Sequence, residues 1–398
     1  MNSHAKEYTT DTVGKLCELV NGRAFKPTEW GQKGLPIIRI QNLNDECKEF
    51  NYFAGSYSPQ HEVNDGDLLF SWSGTPGTSF GAFFWTRGRG VLNQHIFNVH
   101  INPDRVDKRY FRYALNDRLN EIIQHAHGGV GLQHITKGKL ESVQIRLPPL
   151  SEQKRIADIL DKADAIRQKR EDGIRLTEEL LRSTFLEIFG DPVANERGWP
   201  RKPFLEILDN IDSGWSPKCH DRQAQGDEWA VLKLGAVTYC KYQPEENKAL
   251  PESEQPISDL EVKKGDLLLT RKNTYDLVAA SAFVFETPPR LMLPDLIFRL
   301  RIKEKAPVRA EYLWGLLTHP GKRRSIQSLA GGSAGSMPNI SKAKLLSHLI
   351  ELPPKPLQDK FAELMHTHYR MKCKRQELVA EQSSMFDALV QRAFRGEL

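Results

Sequence analysis

Apolar and polar positions alternate in short bursts over the first third of the chain, and then the period changes abruptly. Runs over 35–40, 67–72, 79–85, 96–101 and 142–147 have the length and the β-branched and aromatic content of strands. Gly, Asn and Pro clusters separate them. One helix is predicted over 108–125. From 152 to 189 there is no Pro and a single Gly173, and apolar residues fall at three-four spacing: Ile156, Ile159, Leu160, Ala163, Ile166, Ile174, Leu180, Leu181 and Ile188. Pro148-Pro149 precede this stretch, with Ser151 as the expected N-cap and Glu152 in the first turn, where a negative charge suits the dipole. Gly190-Asp191-Pro192 ends it. Such a helix is on the order of 55 Å long, too long to fold back on its own module.

The pattern then starts again. Strands are predicted over 230–234, 266–270, 279–285, 296–302 and 349–352, with a helix over 310–317. Pro353-Pro354 and Pro356 open a second long helix. Its seam steps by threes and fours through Phe361, Leu364, His368, Met371, Arg375, Leu378, Gln382, Met385 and Leu389, a coiled-coil period with polar breaks. Two long amphipathic helices, one following each module, are expected to bury their stripes against each other. An antiparallel pairing would put the modules at opposite ends of a rod.

The restart is a repeat in detail. Leu147-Pro148-Pro149 returns as Leu352-Pro353-Pro354, and at the same offset Ile135 matches Ile340, Leu140 matches Leu345, Ile145 matches Ile350 and Gln153 matches Gln358. Glu62-Val63-x-x-Gly66-Asp67-Leu68-Leu69 returns as Glu261-Val262-x-x-Gly265-Asp266-Leu267-Leu268. This best-matched stretch reads as a turn leading into a buried strand. The predicted class is therefore α+β: two similar mixed α/β modules separated by two long helices in an antiparallel coiled coil, with pseudo-twofold internal symmetry. The expected divisions are 1–150, 151–190, 191–354 and 355–398.

Bulk composition narrows the function. The chain has 398 residues, enough for two or three domains, and no stretch approaches a membrane span. Five scattered cysteines (Cys17, Cys47, Cys219, Cys240 and Cys373) form no Cys-x-x-Cys pair, which argues against a disulfide frame or a zinc site. The first residues lack the apolar core of a signal peptide, so a cytoplasmic protein is expected. A net charge of +5 is a mild bias toward polyanions.

No dinucleotide fingerprint, phosphate-binding loop, His-Glu-x-x-His or nucleophile elbow occurs, and no adenine-methylase Pro-Pro motif, so no catalytic residue and no metal site are assigned. Instead, the loops carry residue types that can contact DNA. In the first module these are Arg39, Gln41, Asn42, Trp72, Ser73, Thr75, Arg87, Arg89, Asn93, Gln94, His95 and Gln133. In the second they are Ser216, Lys218, Lys233, Arg271, Lys272, Asn273, Tyr275, Ser333 and Ser336. Arg can pair bidentately with guanine, and Asn or Gln with adenine. Trp72-Ser73-Gly74 stands where Arg271-Lys272-Asn273 stands, so one scaffold carries unlike tips.

The run Leu147-Pro148-Pro149-Leu150-Ser151-Glu152-Gln153-Lys154-Arg155-Ile156, the helix exit Phe185-Leu186-Glu187-Ile188-Phe189-Gly190-Asp191-Pro192 and the tail from Leu389 to Leu398 resemble the DNA-specificity (S) subunit of type I restriction–modification systems. The likeness extends over essentially the whole chain. The second copy departs from it, with Lys355-Pro356-Leu357-Gln358-Asp359 in place of Leu-Ser-Glu-Gln-Lys. The resemblance implies a non-catalytic subunit whose two target-recognition domains read a bipartite, asymmetric site on double-stranded DNA. It also implies helices that set the spacer and dock two modification (M) subunits, with Ile156, Ile159, Ala163, Ile166, Leu180, Phe361, Leu364, Met371, Leu378, Met385 and Leu389 on the docking and pairing faces. S-adenosylmethionine would belong to the M partners, and ATP and Mg to restriction (R) subunits, with no cofactor in this chain. The competing reading is a coiled-coil scaffold whose duplicated modules bind protein partners without reading sequence.

Overall fold

The computed structural model describes residues 8–45, 48–74, 79–124, 133–331 and 337–398. The chain divides into two compact units, one formed by 1–170 with 378–398 and the other by 171–377. Among the described residues, no helix is long and apolar enough to cross a membrane.

In the first unit a four-stranded antiparallel sheet runs in the order Cys17–Asn21, Ile96–Ile101, Leu68–Ser71, Gly81–Phe84. A second sheet orders Asn51–Phe53, Leu35–Ile38, Gly90–Leu92 and Glu62–Val63, with one parallel pairing between Leu35–Ile38 and Gly90–Leu92. Thr9–Thr12 pairs with Gln144–Leu147 and closes the unit on itself. The buried residues of this unit include Phe70, Phe97, Tyr110 and Phe111 together with Ile156, Ala157 and Leu160 from the central helix. Ala393 and Phe394 of the C-terminal helix complete that core.

The second unit repeats this plan with one strand fewer in its smaller sheet. Its main sheet runs Leu208–Ser213, Ile297–Ile302, Leu267–Thr270, Ser281–Phe283. The smaller sheet is Asn247–Ala249, Ala230–Leu232, Leu291–Met292, again with one parallel pair. Arg201–Pro203 pairs with Leu349–Glu351 as the closing ribbon. The repeated Gly-Asp turn is structural in both copies. Gly66 and Gly265 take φ of +84° and +91°, which a Cβ would disfavour, and their N–H groups donate to Trp85 and Val284.

The two long helices span Leu150–Phe189 and Lys355–Arg395. Each unit holds the start of one against the end of the other: Ile156 and Leu160 share a core with Ala393 and Phe394, and Phe185 and Phe189 share a core with Phe361 and Met365. That is an antiparallel pairing in both units. The N-cap expectation is corrected, because Ser151 lies inside the first turn and Pro149 provides the carbonyl that accepts from the N–H groups of Glu152 and Gln153. The predicted helix over 108–125 is broken at Arg118 into Lys108–Asp117 and Leu119–Gln124.

The seam is also corrected. In the C-terminal helix the column Phe361, His368, Arg375, Gln382 and Leu389 is covered, as expected. The alternate column is one residue further on, through Met365, Lys372, Val379, Phe386 and Ala393, whereas Leu364, Met371, Leu378 and Met385 are 40–61% exposed. Likewise Ile166 and Leu180 point outward, at 50% and 62% exposure, while Ile156 is buried and Ile159 and Ala163 are half-buried. Both columns carry apolar residues, so apolarity alone does not choose between them. Polar side chains settle the choice: Lys372 reaches Glu178 at 2.8 Å, and Arg375 donates to the carbonyl of Gly173 at 2.8 Å.

Candidate nucleic-acid interface

Two points in each unit present the predicted loop residues: the end of the small-sheet strand and the end of a main-sheet strand. Arg39 follows Leu35–Ile38, and Lys233 follows Ala230–Leu232. Trp72 follows Leu68–Ser71, and Arg271 follows Leu267–Thr270.

The second pair of positions is equivalent bond for bond. The N–H of Trp72 donates to His95 and its carbonyl accepts from Ile135, at 3.2 and 3.1 Å. The N–H of Arg271 donates to Leu296 and its carbonyl accepts from Ile340, at 3.0 and 2.8 Å. Beside them, Ser73 pairs with His134 and Lys272 with Asn339. The same backbone junction therefore carries Trp72, His95 and His134 in one unit and Arg271, Leu296 and Asn339 in the other.

In the first unit the rings of Trp72, His95 and His134 lie within 5.2–6.5 Å of one another. Burial, and secondarily the neighbouring His134, holds His95 below the ordinary imidazole range. Among the described residues Nε1 of Trp72, Nδ1 of His95 and Oε1 of Gln94 are buried without a hydrogen-bond partner. Such groups cost stability and mark places where a polar ligand edge would be welcome.

Other predicted residues have structural work instead. Asn42 is buried: its Oδ1 accepts from the N–H of Arg39, and its Nδ2 donates to the carbonyls of Lys48 and Glu49. Asn273 is buried too, with Nδ2 on Thr238 Oγ1 and Oδ1 accepting from Thr274. Asn42 thus supports its own turn, as a short amide does, and Asn273 ties its loop to Thr238. Ser73 and Asn93 are likewise buried. Arg89 pairs with Glu62 at 2.7 Å, Lys233 with Glu246 at 3.1 Å, and Ser216 with Asp295. Arg87 lies over the rings of Phe50 and Trp85. Gln41 and Lys272 are half-buried, and Lys218 and Tyr275 are exposed. Thr75, Ser333 and Ser336 lie outside the described residues, and of Gln133 only the backbone pairing with Gly74 is described.

Two residues that the loop reading passed over matter most. Asn51 Oδ1 accepts from Arg39 at 3.2 Å, and Asn339 Oδ1 accepts from Arg271 at 3.2 Å. Aligning the two copies places Asn339 opposite His134, and that mismatch amid matched neighbours was the available signal. A cavity of about 1010 Å³ in the second unit, beside Tyr242, Phe285, Trp314 and Tyr369, is lined by none of the loop candidates.

Residues 5–176 match the family model described as the type I restriction modification DNA specificity domain. The chain is 32% identical over 201 residues to the type I restriction enzyme EcoEI specificity subunit of Escherichia coli, covering 49% of this chain and 34% of that protein. It is 30% identical over 152 residues to the EcoBI specificity subunit of the same species, covering 38% and 31%. The matched segments thus span about a third of the length of these relatives. The fold matches the crystal structure of a type I restriction-modification system S subunit from M. genitalium with a TM-score of 0.56, at 14% identity, over 99% of this chain and 97% of that one. Residues 5–176 thus resemble the type I restriction modification DNA specificity domain in sequence, and the whole length of the chain shares the fold of a type I S subunit.

Proposed function

We propose that the chain is the sequence-specific DNA-binding subunit of a type I restriction–modification complex, reading a bipartite, asymmetric site. One observation carries this reading: equivalent backbone junctions in the two units hold unlike polar side chains, Trp72 with His95 against Arg271 with Asn339. A scaffold that merely bound partners would gain nothing from varying its tips while keeping its frame. Phosphate contacts would position the duplex, and base-edge contacts from the tips would specify it.

In this reading the chain performs no chemistry. Two modification subunits bound to it would carry S-adenosylmethionine and methylate adenine N6 after the base is turned out of the stack. Restriction subunits would add ATP- and Mg-dependent cleavage of unmodified DNA. The helix faces left exposed at Leu364, Met371, Leu378 and Met385 are available for docking the modification subunits. The test is exchange of residues 1–147 for the corresponding segment of another specificity chain. One half of the recognised site should change and the other stay the same. A change in both halves, or binding with no site preference, overturns the proposal.

A further inference from the structure

We propose that Arg39 and Arg271 are the base-reading arginines of the two units, one in each, taking the paired acceptors of a guanine edge, and that Asn51 and Asn339 are their positioning residues. The inference rests on the DNA-reading function proposed above and adds which side chains read and what they read.

The two arginines share a setting that Arg89 and Lys233 lack. Arg89 and Lys233 have carboxylate partners, Glu62 and Glu246. Among the described residues, no carboxylate pairs with Arg39 or Arg271. Each instead gives one bond to an asparagine Oδ1, at 3.2 Å in both cases. Each also lies over an aromatic face, Arg39 at 4.9 Å from the Trp30 ring centre and Arg271 at 5.2 Å from that of Phe298. Arg271 has a further contact from NH1 to Ser213 Oγ at 3.5 Å.

This arrangement fixes the guanidinium plane and leaves its charge intact. A guanidinium has five N–H donors, so one bond to a neutral amide leaves a fork for two acceptors on the ligand. A carboxylate would have occupied that fork, as Glu62 does for Arg89. A phosphate oxygen needs charge and reach, which a mobile lysine supplies as well as a held arginine. A fixed fork on a ring is suited to an edge with two acceptors at set spacing, and O6 and N7 of guanine are that edge in the major groove. The positions differ between the units. Arg39 stands at the small-sheet junction, where the second unit has the neutralised Lys233, and Arg271 stands at the main-sheet junction, where the first has Trp72. The guanine would therefore occupy a different place within each half-site.

The test uses the purified full chain and a randomised duplex library, followed by binding measurements at constant salt on the selected site and on each single base-pair change. The conservative variants Arg39→Lys and Arg271→Lys keep the charge and the stem, and their melting profiles report whether they fold as the wild type does. Each should lose roughly tenfold or more of the preference for one G·C pair, in one half-site for Arg39→Lys and in the other for Arg271→Lys. Asn51→Ala and Asn339→Ala should lose part of the same preference at the same base pair, and Asn339→Asp, whose carboxylate would occupy the fork, should lose more of it than Asn339→Ala. Equal weakening on every sequence reassigns the arginines to phosphate and overturns the inference, as does unchanged selectivity. If the wild-type chain itself selects no sequence, it is the DNA-reading function that fails.

Discussion

The side-chain Nε2 of Gln153 donates to the carbonyl oxygen of Pro148 at 2.8 Å, and Gln358 makes the same bond to Pro353 at 2.7 Å. Each glutamine also reaches across its unit. Gln153 donates to Arg105 and accepts from the N–H of Asp107, while Gln358 donates to Pro307 and accepts from the N–H of Arg309. One buried amide thus ties the start of a long helix to the loop before the unit's main helix. The role explains why Gln survives in the second copy although Ser-Glu and Lys around it do not.

Replacing either glutamine by leucine keeps much of its volume but strands two carbonyls and an N–H in a dry site. A cost of about 2–4 kcal/mol is expected from such a loss. Chemical denaturation followed by probes in each unit should show the Gln153→Leu loss in the first and the Gln358→Leu loss in the second. Equal loss in both units from one substitution would contradict the local role.

Lys322 and Glu351 form a pair at 2.6 Å in which both side chains are buried, with Arg201 on the same carboxylate at 2.9 Å. Lys322→Met leaves that carboxylate under-compensated and should destabilise the second unit by about 3 kcal/mol. Adding Glu351→Leu should recover most of the loss, since the costly species is the lone buried charge. If the double variant is the less stable of the two, the pair contributes net stability of its own.

Gly315 and Tyr113 occupy equivalent turns of the two units' main helices, and they show how one frame takes different fillings. A Cβ at Gly315 would meet Phe185 at 2.7 Å and Phe361 at 3.2 Å, whereas Tyr113 has room to place its hydroxyl on Asp161 at 2.9 Å. Gly315→Ala should therefore destabilise by about 1–3 kcal/mol through overpacking, despite the better helix propensity of Ala. A melting temperature at or above the wild type's would mean that the phenylalanines shift freely.

Much of this architecture was legible because it is written in periods and punctuation. The Pro-Pro stops, the Gly-Asp turns at Gly66 and Gly265 and the three-four spacing of both long helices follow from backbone geometry, which sequence reports directly. The seam was half legible. Phe361, His368 and Arg375 lie on it, but whether Leu364 or Met365 completes it depends on the partner surface, and Lys372 sits inward only because Glu178 is there to receive it. The reading tips were least legible. Asn42, Asn273, Asn51 and Asn339 look alike in a sequence, yet the first two are buried on backbone and hydroxyl partners and the last two hold arginines.

His348 is a half-buried imidazole stacked near Phe204, with Nε2 buried and unpartnered among the described residues. Burial first, and the nearby Lys322 second, hold it below the ordinary imidazole range, while Glu351 opposes them. The unfolded chain takes up this proton near pH 6.5, but the folded one resists it. Stability from keeping His348 neutral is therefore whole above that pH, is lost as pH falls toward the depressed folded value, and does not change further below it. His348→Gln removes the titration while keeping a polar side chain. The drop in urea midpoint between pH 7.5 and pH 5 should be smaller in this variant than in the wild type. An equal drop in both would assign the acid sensitivity to His95, His319 and His368, whose imidazoles are likewise held down by burial.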